Sequence, residues 1–343
     1  MIRIEHKQRI KIVSVISIAI FISCLITTPL FGQGTLFPIL GGQRAGTSVF
    51  SFLKIGIGAR AAAMGEAFVG VANDASTLYW NPAGAVQIGR NELTLEKTQW
   101  PVDIQYDYLG YVHRTGAHTA LGISLGYLYT DPMEITTEYQ PNGTGEYFAY
   151  SDFFAGLTLS QSMTDRFSFG ITLKYVEENM ARLIMRTGLI DIGTFYWTGY
   201  KTLKFCVSLV NFGPQARPEG TFMRPTREGG EEEVRYQLFS PPTIFRIGSS
   251  MNIFESSSSR ILLALQLNHP VDNTENFVGG IEYSFKEQIF LRAGWKAQQA
   301  EETYTFGAGL RLNLRSRALR VDYSYTDFGR LNMAQRFQIS LEL

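Results

Sequence analysis

The chain has 343 residues with 31 basic and 31 acidic side chains, so its formal net charge is zero. This balance excludes the basic footprint of a nucleic-acid-binding protein, and no nucleic acid is expected among its partners. Charged residues make up only 18% of the chain, which is low for a soluble protein, while aromatic residues reach 13%. This composition favours a β-rich protein with aromatic belts over an α/β enzyme.

The first 33 residues have the three parts of a secretory signal peptide: a basic start, the apolar run 12–31 and small residues after it. An uncleaved membrane anchor is the alternative, because the run is long enough to span a bilayer. Pro29 and the glycines that follow it favour cleavage. Cys24 lies inside the run, either as part of its apolar core or as a lipid-modified residue. Cys206 then stands alone, and the mature chain has no internal disulfide.

Residues 42–88 are dense in alanine and glycine, and their apolar positions do not alternate. Asp74 can cap a short helix through ASTLYW, and Asn81 can cap a further turn that begins at Pro82. Small side chains let backbone pack closely against a wall. We therefore predict that this segment is a helical plug, or hatch.

From residue 91 to the C-terminus, hydrophobic residues recur with a period of two, which indicates β-strands. In YTFGAGLRLNL (304–314) the apolar side chains share one face, and glycine, threonine, arginine and asparagine share the other. The predicted strands are 91–100, 104–115, 117–129, 147–162, 166–180, 184–199, 202–212, 241–253, 259–269, 275–286, 288–298, 302–314, 318–327 and 333–343.

Strand length and loop length distinguish a membrane barrel from a soluble sandwich. Many of the fourteen segments reach ten residues, whereas ordinary strands have about 5–6 and tilted membrane strands need about 9–11. Most alternate connections are short, and two on the other side are long, as in outer-membrane barrels. The prediction is an all-β fold: a transmembrane antiparallel β-barrel of about 14 strands over 91–343, with the hatch of 42–88 in its lumen. The location is the bacterial outer membrane, with the short turns on the periplasmic side.

Charged residues on the polar faces of these strands would line the lumen. They either pair with one another and are structural, or they line a passage and hold the hatch; pairing is the favoured interpretation. The candidates are Arg246, Glu282, Arg292, Arg311, Arg320, Asp322 and Arg336. A run of three acidic residues, Glu231-Glu232-Glu233, lies in the longest outer loop. It is either a solvated loop or a docking point for cargo or, through a divalent ion, for lipopolysaccharide.

The stretch LKIGIGARAAAMGEAFVGVANDASTLYWNPAG (53–84) resembles the N-terminal region of FadL-like outer-membrane proteins (the OmpP1/FadL/TodX superfamily), and in particular the PorV/PorQ branch. LVNFGP at 209–214 is also similar to that branch. The residues that carry the hatch motif are Asn73, Asp74, Tyr79, Trp80, Asn81, Pro82, Ala83 and Gly84. The final Leu343 departs mildly from the aromatic residue that usually ends such barrels.

The resemblance implies a 14-stranded barrel with an N-terminal hatch and two functional alternatives. The leading one is a type IX secretion-associated scaffold that binds secretion-system proteins and the signal domains of cargo. The other is a transporter of hydrophobic small molecules such as fatty acids or hydrocarbons. In either role the partners include outer-membrane lipid and lipopolysaccharide, and no cofactor is implied.

Enzymatic and metal chemistry are not expected. GISLG (122–126) has the spelling of a nucleophile elbow, but Ser124 lies in the middle of a predicted strand instead of at a strand-to-helix turn. His113 and His118 flank a predicted periplasmic turn, whereas His269 lies near an opposite loop. The three cannot form one metal site, and no catalytic residue is predicted.

Overall fold

The computed structural model describes residues 46–225, 229–297, 303–314 and 317–343. The predicted signal peptide, residues 1–33, lies outside the described residues. Among the described residues, no helix has both the length and the apolar character needed to span a bilayer.

Fourteen antiparallel strands form a closed barrel, which confirms the predicted fold class. Polar and apolar residues alternate along these strands because successive side chains point to opposite faces of the wall. One face packs against the filled interior of the barrel and the other faces outward. Two further hairpins lie in the long connections. In chain order, the eighteen strands are β1 Glu92–Gln99, β2 Gln105–Arg114, β3 Thr119–Tyr129, β4 Met133–Glu134, β5 Tyr147–Phe148, β6 Tyr150–Ser162, β7 Phe167–Met180, β8 Leu183–Trp197, β9 Lys204–Phe212, β10 Thr221–Pro225, β11 Glu231–Arg235, β12 Ile244–Glu255, β13 Ser259–Pro270, β14 Asn276–Phe285, β15 Ile289–Ala297, β16 Tyr304–Leu314, β17 Arg317–Asp327 and β18 Met333–Glu342.

Each wall strand pairs with its neighbour along the chain, and β1 closes the barrel by pairing with β18. The closing register joins Glu92 to Glu342 and Gln99 to Gln335 without a break. The hairpins β4–β5 and β10–β11 stand apart from the wall, so the long connections are partly ordered strands and not only loops.

The two ends of the barrel differ, and we name them by their connections. The turn end carries the connections 115–118, 163–166, 198–203, 256–258 and 286–288. The loop end carries the long connections 130–149 and 213–243. Since β1 runs from the turn end to the loop end, β18 brings the C-terminus back to the turn end.

The outer face of the wall is apolar and open to its surroundings. Leu157 is 64% exposed and Phe306 is 55% exposed, while the alternate residues Thr158 and Thr305 are buried. A soluble protein would bury such a belt, whereas a barrel in lipid presents it to acyl chains. The wall is therefore that of a membrane-spanning barrel.

The lumen is filled by residues 49–88, which form four short helices linked by turns. They are the 3₁₀ helix Ser51–Lys54, the α-helix Ala59–Ala63, the α-helix Thr77–Trp80 and the 3₁₀ helix Pro82–Gln87. Three consecutive alanines favour the second of these, and it ends where Gly65 takes a φ of 64°, a conformation that glycine adopts freely. The largest hydrophobic cluster among the described residues joins this segment to the inward side chains of the wall.

Candidate functional site in the barrel lumen

The hatch runs through the barrel from one end to the other. At the loop end, the Val49 backbone N–H donates to the Ser240 carbonyl oxygen at 3.2 Å. At the turn end, Arg114 of β2 donates through Nη1 to the Ile88 carbonyl oxygen at 3.0 Å. The chain therefore enters the lumen at the loop end and leaves it at the turn end, directly before β1.

Asn81 and Pro82 form a capped turn that is fixed to the wall. The Asn81 Oδ1 accepts a hydrogen bond from the Ala83 backbone N–H at 3.1 Å, and Pro82 is the first residue of the helix that follows. This is the arrangement that favours Asn at an N-cap and Pro at the first helical position. Asn81 Nδ2 also donates to the Thr194 carbonyl oxygen of β8 at 3.1 Å. One side chain thus caps the hatch helix and ties it to a strand.

Two wall glycines make room for this turn. A Cβ added at Gly193 of β8 would lie 2.0 Å from Asn81 Oδ1, and one at Gly170 of β7 would lie 2.3 Å from the Pro82 carbonyl carbon. Within the hatch, a Cβ at Gly84 would lie 2.2 Å from Thr77 Oγ1. Each distance is shorter than any real carbon contact, so all three positions require glycine. Inward-facing glycines in a strand pattern were the available signal for these contacts.

The other half of the hatch meets the opposite wall in the same way. A Cβ at Gly294 of β15 would lie 1.9 Å from the Gly65 nitrogen, and one at Gly280 of β14 would lie 2.4 Å from the Met64 oxygen. A Cβ at Gly248 of β12 would similarly lie 3.0 Å from the Gly70 nitrogen. Backbone of the hatch therefore lies directly against backbone of the wall on both sides of the lumen.

Tyr79 and Trp80 hold the hatch together internally. The Tyr79 hydroxyl donates to the Leu53 carbonyl oxygen at 2.9 Å, and Trp80 Nε1 donates to the Ile57 carbonyl oxygen at 2.6 Å. Their rings are perpendicular, with centroids 4.9 Å apart. These bonds connect the first and last parts of the hatch, so the aromatic pair of the motif fixes the shape of the segment.

Four of the predicted lumen residues meet in one ionic network with the hatch. Glu282 accepts from Arg292 at 2.7 Å, and Arg292 contacts Asp322 at 2.6 Å. Arg320 lies 2.9 Å from Asp322. Two hatch residues complete the network. Arg60 donates to Glu282 at 2.7 Å and to Asp74 at 3.2 Å, and Arg320 reaches Asp74 at 2.9 Å.

Three guanidinium groups thus face three carboxylates at hydrogen-bond distance, and this network carries no net charge. Glu92 of β1 lies at its margin, 3.9 Å from Arg320. Sequence alone did not indicate Arg60, the member that links the hatch to Glu282 across 222 residues of chain. Asn73 supports it by accepting from Arg60 Nη1 at 2.8 Å. Every charge in the network has an opposite neighbour, so these residues act as a buried anchor for the hatch.

Asp74 is the hatch end of this anchor. Its carboxyl is buried, and the guanidinium groups of Arg320 and Arg60 lie 2.9 Å and 3.2 Å from its Oδ2, where they stabilise the ionised form. Asp74 Oδ1 also accepts from the Ser76 backbone N–H at 3.1 Å, directly before the helix Thr77–Trp80. Asp74 therefore stays ionised and organises the start of that helix.

The remaining lumen candidates lie apart from the network. Arg311 pairs with Glu342 at 2.8 Å near the turn end. Arg336 is buried, with its guanidinium 5.3 Å from the centre of the Trp100 ring. Arg246 is buried over the hatch aromatics, 4.9 Å from the centre of the Trp80 ring.

The predicted outer-loop residues lie on the β10–β11 hairpin. Glu231, Glu232 and Glu233 are exposed there, Glu232 pairs with Arg224, and Glu233 accepts from Thr221. They do not contact the hatch or the lumen network. Any role they have is therefore separate from the lumen.

The residues considered for enzyme or metal chemistry stay apart. Ser124 is buried in the middle of β3, paired with Gly110 and Gly156 of the adjacent strands. His269 lies beside Glu275 near the loop end, and His113 lies near the turn end. Within the described parts of the chain, no three metal-binding side chains cluster.

Solved structures with this fold are described as transporters and channels. The toluene transporter TbuX of Ralstonia pickettii superposes with a TM-score of 0.54 at 12% identity, over 83% of this chain and 97% of that one. The toluene transporter TodX of Pseudomonas putida gives the same values. The monoaromatic hydrocarbon channel CymD gives a TM-score of 0.53 at 12% identity, over 84% and 96%.

Sequence comparison is less informative. Residues 40–175 match the model of the uncharacterised protein family UPF0164. No curated protein matches the chain significantly. At 12% identity the solved structures establish the fold alone: this chain has the closed β-barrel fold of those transporters and that channel.

Proposed function

We propose that this protein transports hydrophobic small molecules across the bacterial outer membrane. The observation that carries the proposal is the barrel itself, with its lumen filled by a hatch and its fold shared with two toluene transporters and a monoaromatic hydrocarbon channel. The apolar outer wall supports a membrane location.

The interior supports a hydrophobic rather than an ionic substrate. The ionic network has no net charge, and the hatch packs so closely against the wall that a Cβ added at Gly170 or Gly280 would overlap hatch backbone. Toward the loop end the lumen is lined by an apolar cluster that includes Phe52, Tyr106 and Phe154. A hydrophobic molecule gains favourable contacts there, whereas a hydrated ion would lose its water.

Uptake of radiolabelled toluene by cells, with and without the protein, tests the proposal. We expect saturable uptake that depends on the protein, together with hydrophobic compounds that co-purify and are identified by mass spectrometry. A matched control is the triple variant Glu231→Gln, Glu232→Gln, Glu233→Gln, which alters only the exposed hairpin and should leave uptake unchanged. Uptake equal to that of cells without the protein would contradict the proposal.

A secretion-associated scaffold of the PorV/PorQ type is the second proposal, from sequence resemblance alone. The exposed β10–β11 hairpin, with Phe222 and Met223 beside the three glutamates, is where a partner protein would bind. The same triple variant separates the two roles. It should weaken binding of cargo signal domains if the protein is a scaffold and should leave toluene uptake intact if it is a transporter.

A further inference from the structure

A cavity of about 260 Å³ lies between the hatch and the loop ends of β12–β15. The hatch contributes Lys54, Glu66 and Trp80 to its lining. The wall contributes Arg246 and Lys296, and Trp100 follows β1. The cavity therefore combines two indole rings with several charged groups, unlike the apolar cluster beside it.

Arg246 is the unusual member of this lining. It is only 3% exposed, and its Nη1 has no hydrogen-bond partner. Among the described residues, no carboxylate lies within 4.0 Å of it; its guanidinium instead lies 5.5 Å and 4.9 Å from the ring centres of Tyr79 and Trp80. A buried cation normally has a paired anion, because leaving it uncompensated is costly.

The other cations of the cavity are already paired. Lys296 Nζ lies 3.0 Å from Glu66 Oε1, and Lys54 Nζ lies 2.8 Å from Asp272 Oδ2. Arg246 is thus the cation that leaves the lining with an excess positive charge. A ligand with one negative charge would balance it.

Size and surface restrict that ligand further. A cavity of roughly 150 Å³ already accommodates benzene, so this one has room for a ring with an attached carboxylate. Indole rings such as Trp80 and Trp100 pack favourably against aromatic rings. A guanidinium group binds a carboxylate through two parallel hydrogen bonds.

We propose that this cavity binds a small aromatic carboxylate, with the carboxylate on Arg246 and the ring against the tryptophans. The inference rests on the proposed transport function and names a substrate class for it. Small aromatic carboxylates differ from toluene and the monoaromatic hydrocarbons, which the descriptions of the similar structures name. A neutral ring would fill the same volume but leave Arg246 without its anion.

Calorimetric titration of the full chain in a non-ionic detergent tests the inference, with benzoate, toluene and dodecanoate as probes. We expect saturable binding of benzoate that Arg246→Gln weakens by at least about tenfold, as loss of a charge-assisted hydrogen bond implies. Arg246→Lys should recover part of it. Lys204→Gln is the matched control, since Lys204 is a cation at the turn end of β9 and lies outside the cavity.

Three results would overturn the inference: no binding of benzoate, equal binding to wild type and Arg246→Gln, or a preference for dodecanoate over benzoate. Resistance of the barrel band to heat on a gel shows whether Arg246→Gln has folded, and Arg246→Lys provides the test if it has not. Toluene uptake without benzoate binding would reject this inference and leave the proposed function standing. Loss of both would reject both.

Discussion

Gly193 of β8 offers a direct test of how the hatch is held, because a side chain there would meet the Asn81 cap. In Gly193→Ala the new methyl carbon would lie 2.0 Å from Asn81 Oδ1 and 2.9 Å from Pro82 Cδ. Asn81 Oδ1 would have to move by about 1.4 Å to reach an ordinary contact distance. That movement breaks the 3.1 Å cap to the Ala83 N–H.

The magnitude follows from two effects. Loss of an N-cap costs about 1 kcal/mol, and an extra methyl in a packed interior costs about 1–3 kcal/mol. The hatch should therefore be destabilised in its seated position by about 2–4 kcal/mol, which is about a thirtyfold to thousandfold change in the equilibrium between seated and released hatch. The wall pairs of β8 do not change.

Hydrogen exchange measured by mass spectrometry is the assay. Amides of residues 81–88 should exchange faster in Gly193→Ala, while the barrel keeps its heat-resistant band on a gel. Gly188→Ala is the matched control on the same strand, since a Cβ there would lie 3.9 Å from its nearest neighbour, the Lys174 oxygen. Equal exchange in the two variants would refute the reasoning that this turn fixes the hatch.

Two other predictions concern the hatch and its anchor. Replacing Asn81 and Pro82 together by alanine should loosen the hatch and keep the heat-resistant barrel; loss of the folded barrel on a gel would mean that the turn is needed for assembly. Asp74→Asn should lower the unfolding free energy by about 3–5 kcal/mol, since it removes one of three carboxylates and leaves the buried network with an uncompensated positive charge; denaturant titration against Asp165→Asn, a variant in an exposed turn, checks this, and equal midpoints would contradict it.

The barrel was predictable from local sequence because strand alternation repeats along the chain. In YTFGAGLRLNL the even-numbered residues face outward and the odd-numbered residues face inward. Where a short turn connects two strands, the turn also fixes the register between them. Thirteen of the fourteen pairings join wall strands that follow one another along the chain. The strand order could therefore be predicted without knowing contacts between distant parts of the sequence. The fourteenth, β1 with β18, follows from closure.

The anchor of the hatch was not predictable in the same way. Parity places Glu282 and Arg292 in the lumen, but it does not say that Arg60 reaches them, because that contact joins residues 222 positions apart. Arg60 itself lies in an alanine-rich helix that resembles a neutral spacer. In the sequence, Gly193 and Gly280 are recognisable only as positions without a side chain on the inward face of a strand. Which residue of the hatch packs against each glycine depends on the three-dimensional path of the hatch.

The passage of residues 49–88 through the lumen has a consequence for assembly. The segment enters beside Ser240 at one end and continues into β1 at the other, so the wall encircles it as a ring encircles a thread. Such a thread cannot be fitted into a finished ring from the side. The hatch can therefore reach its place only against the open sheet, before β18 meets β1, or lengthwise through an end of the barrel, and the glycines of β7, β8, β14 and β15 provide the surface against which it packs. Once β1 has paired with β18, the wall blocks sideways release, and the hatch can leave only along the axis of the barrel.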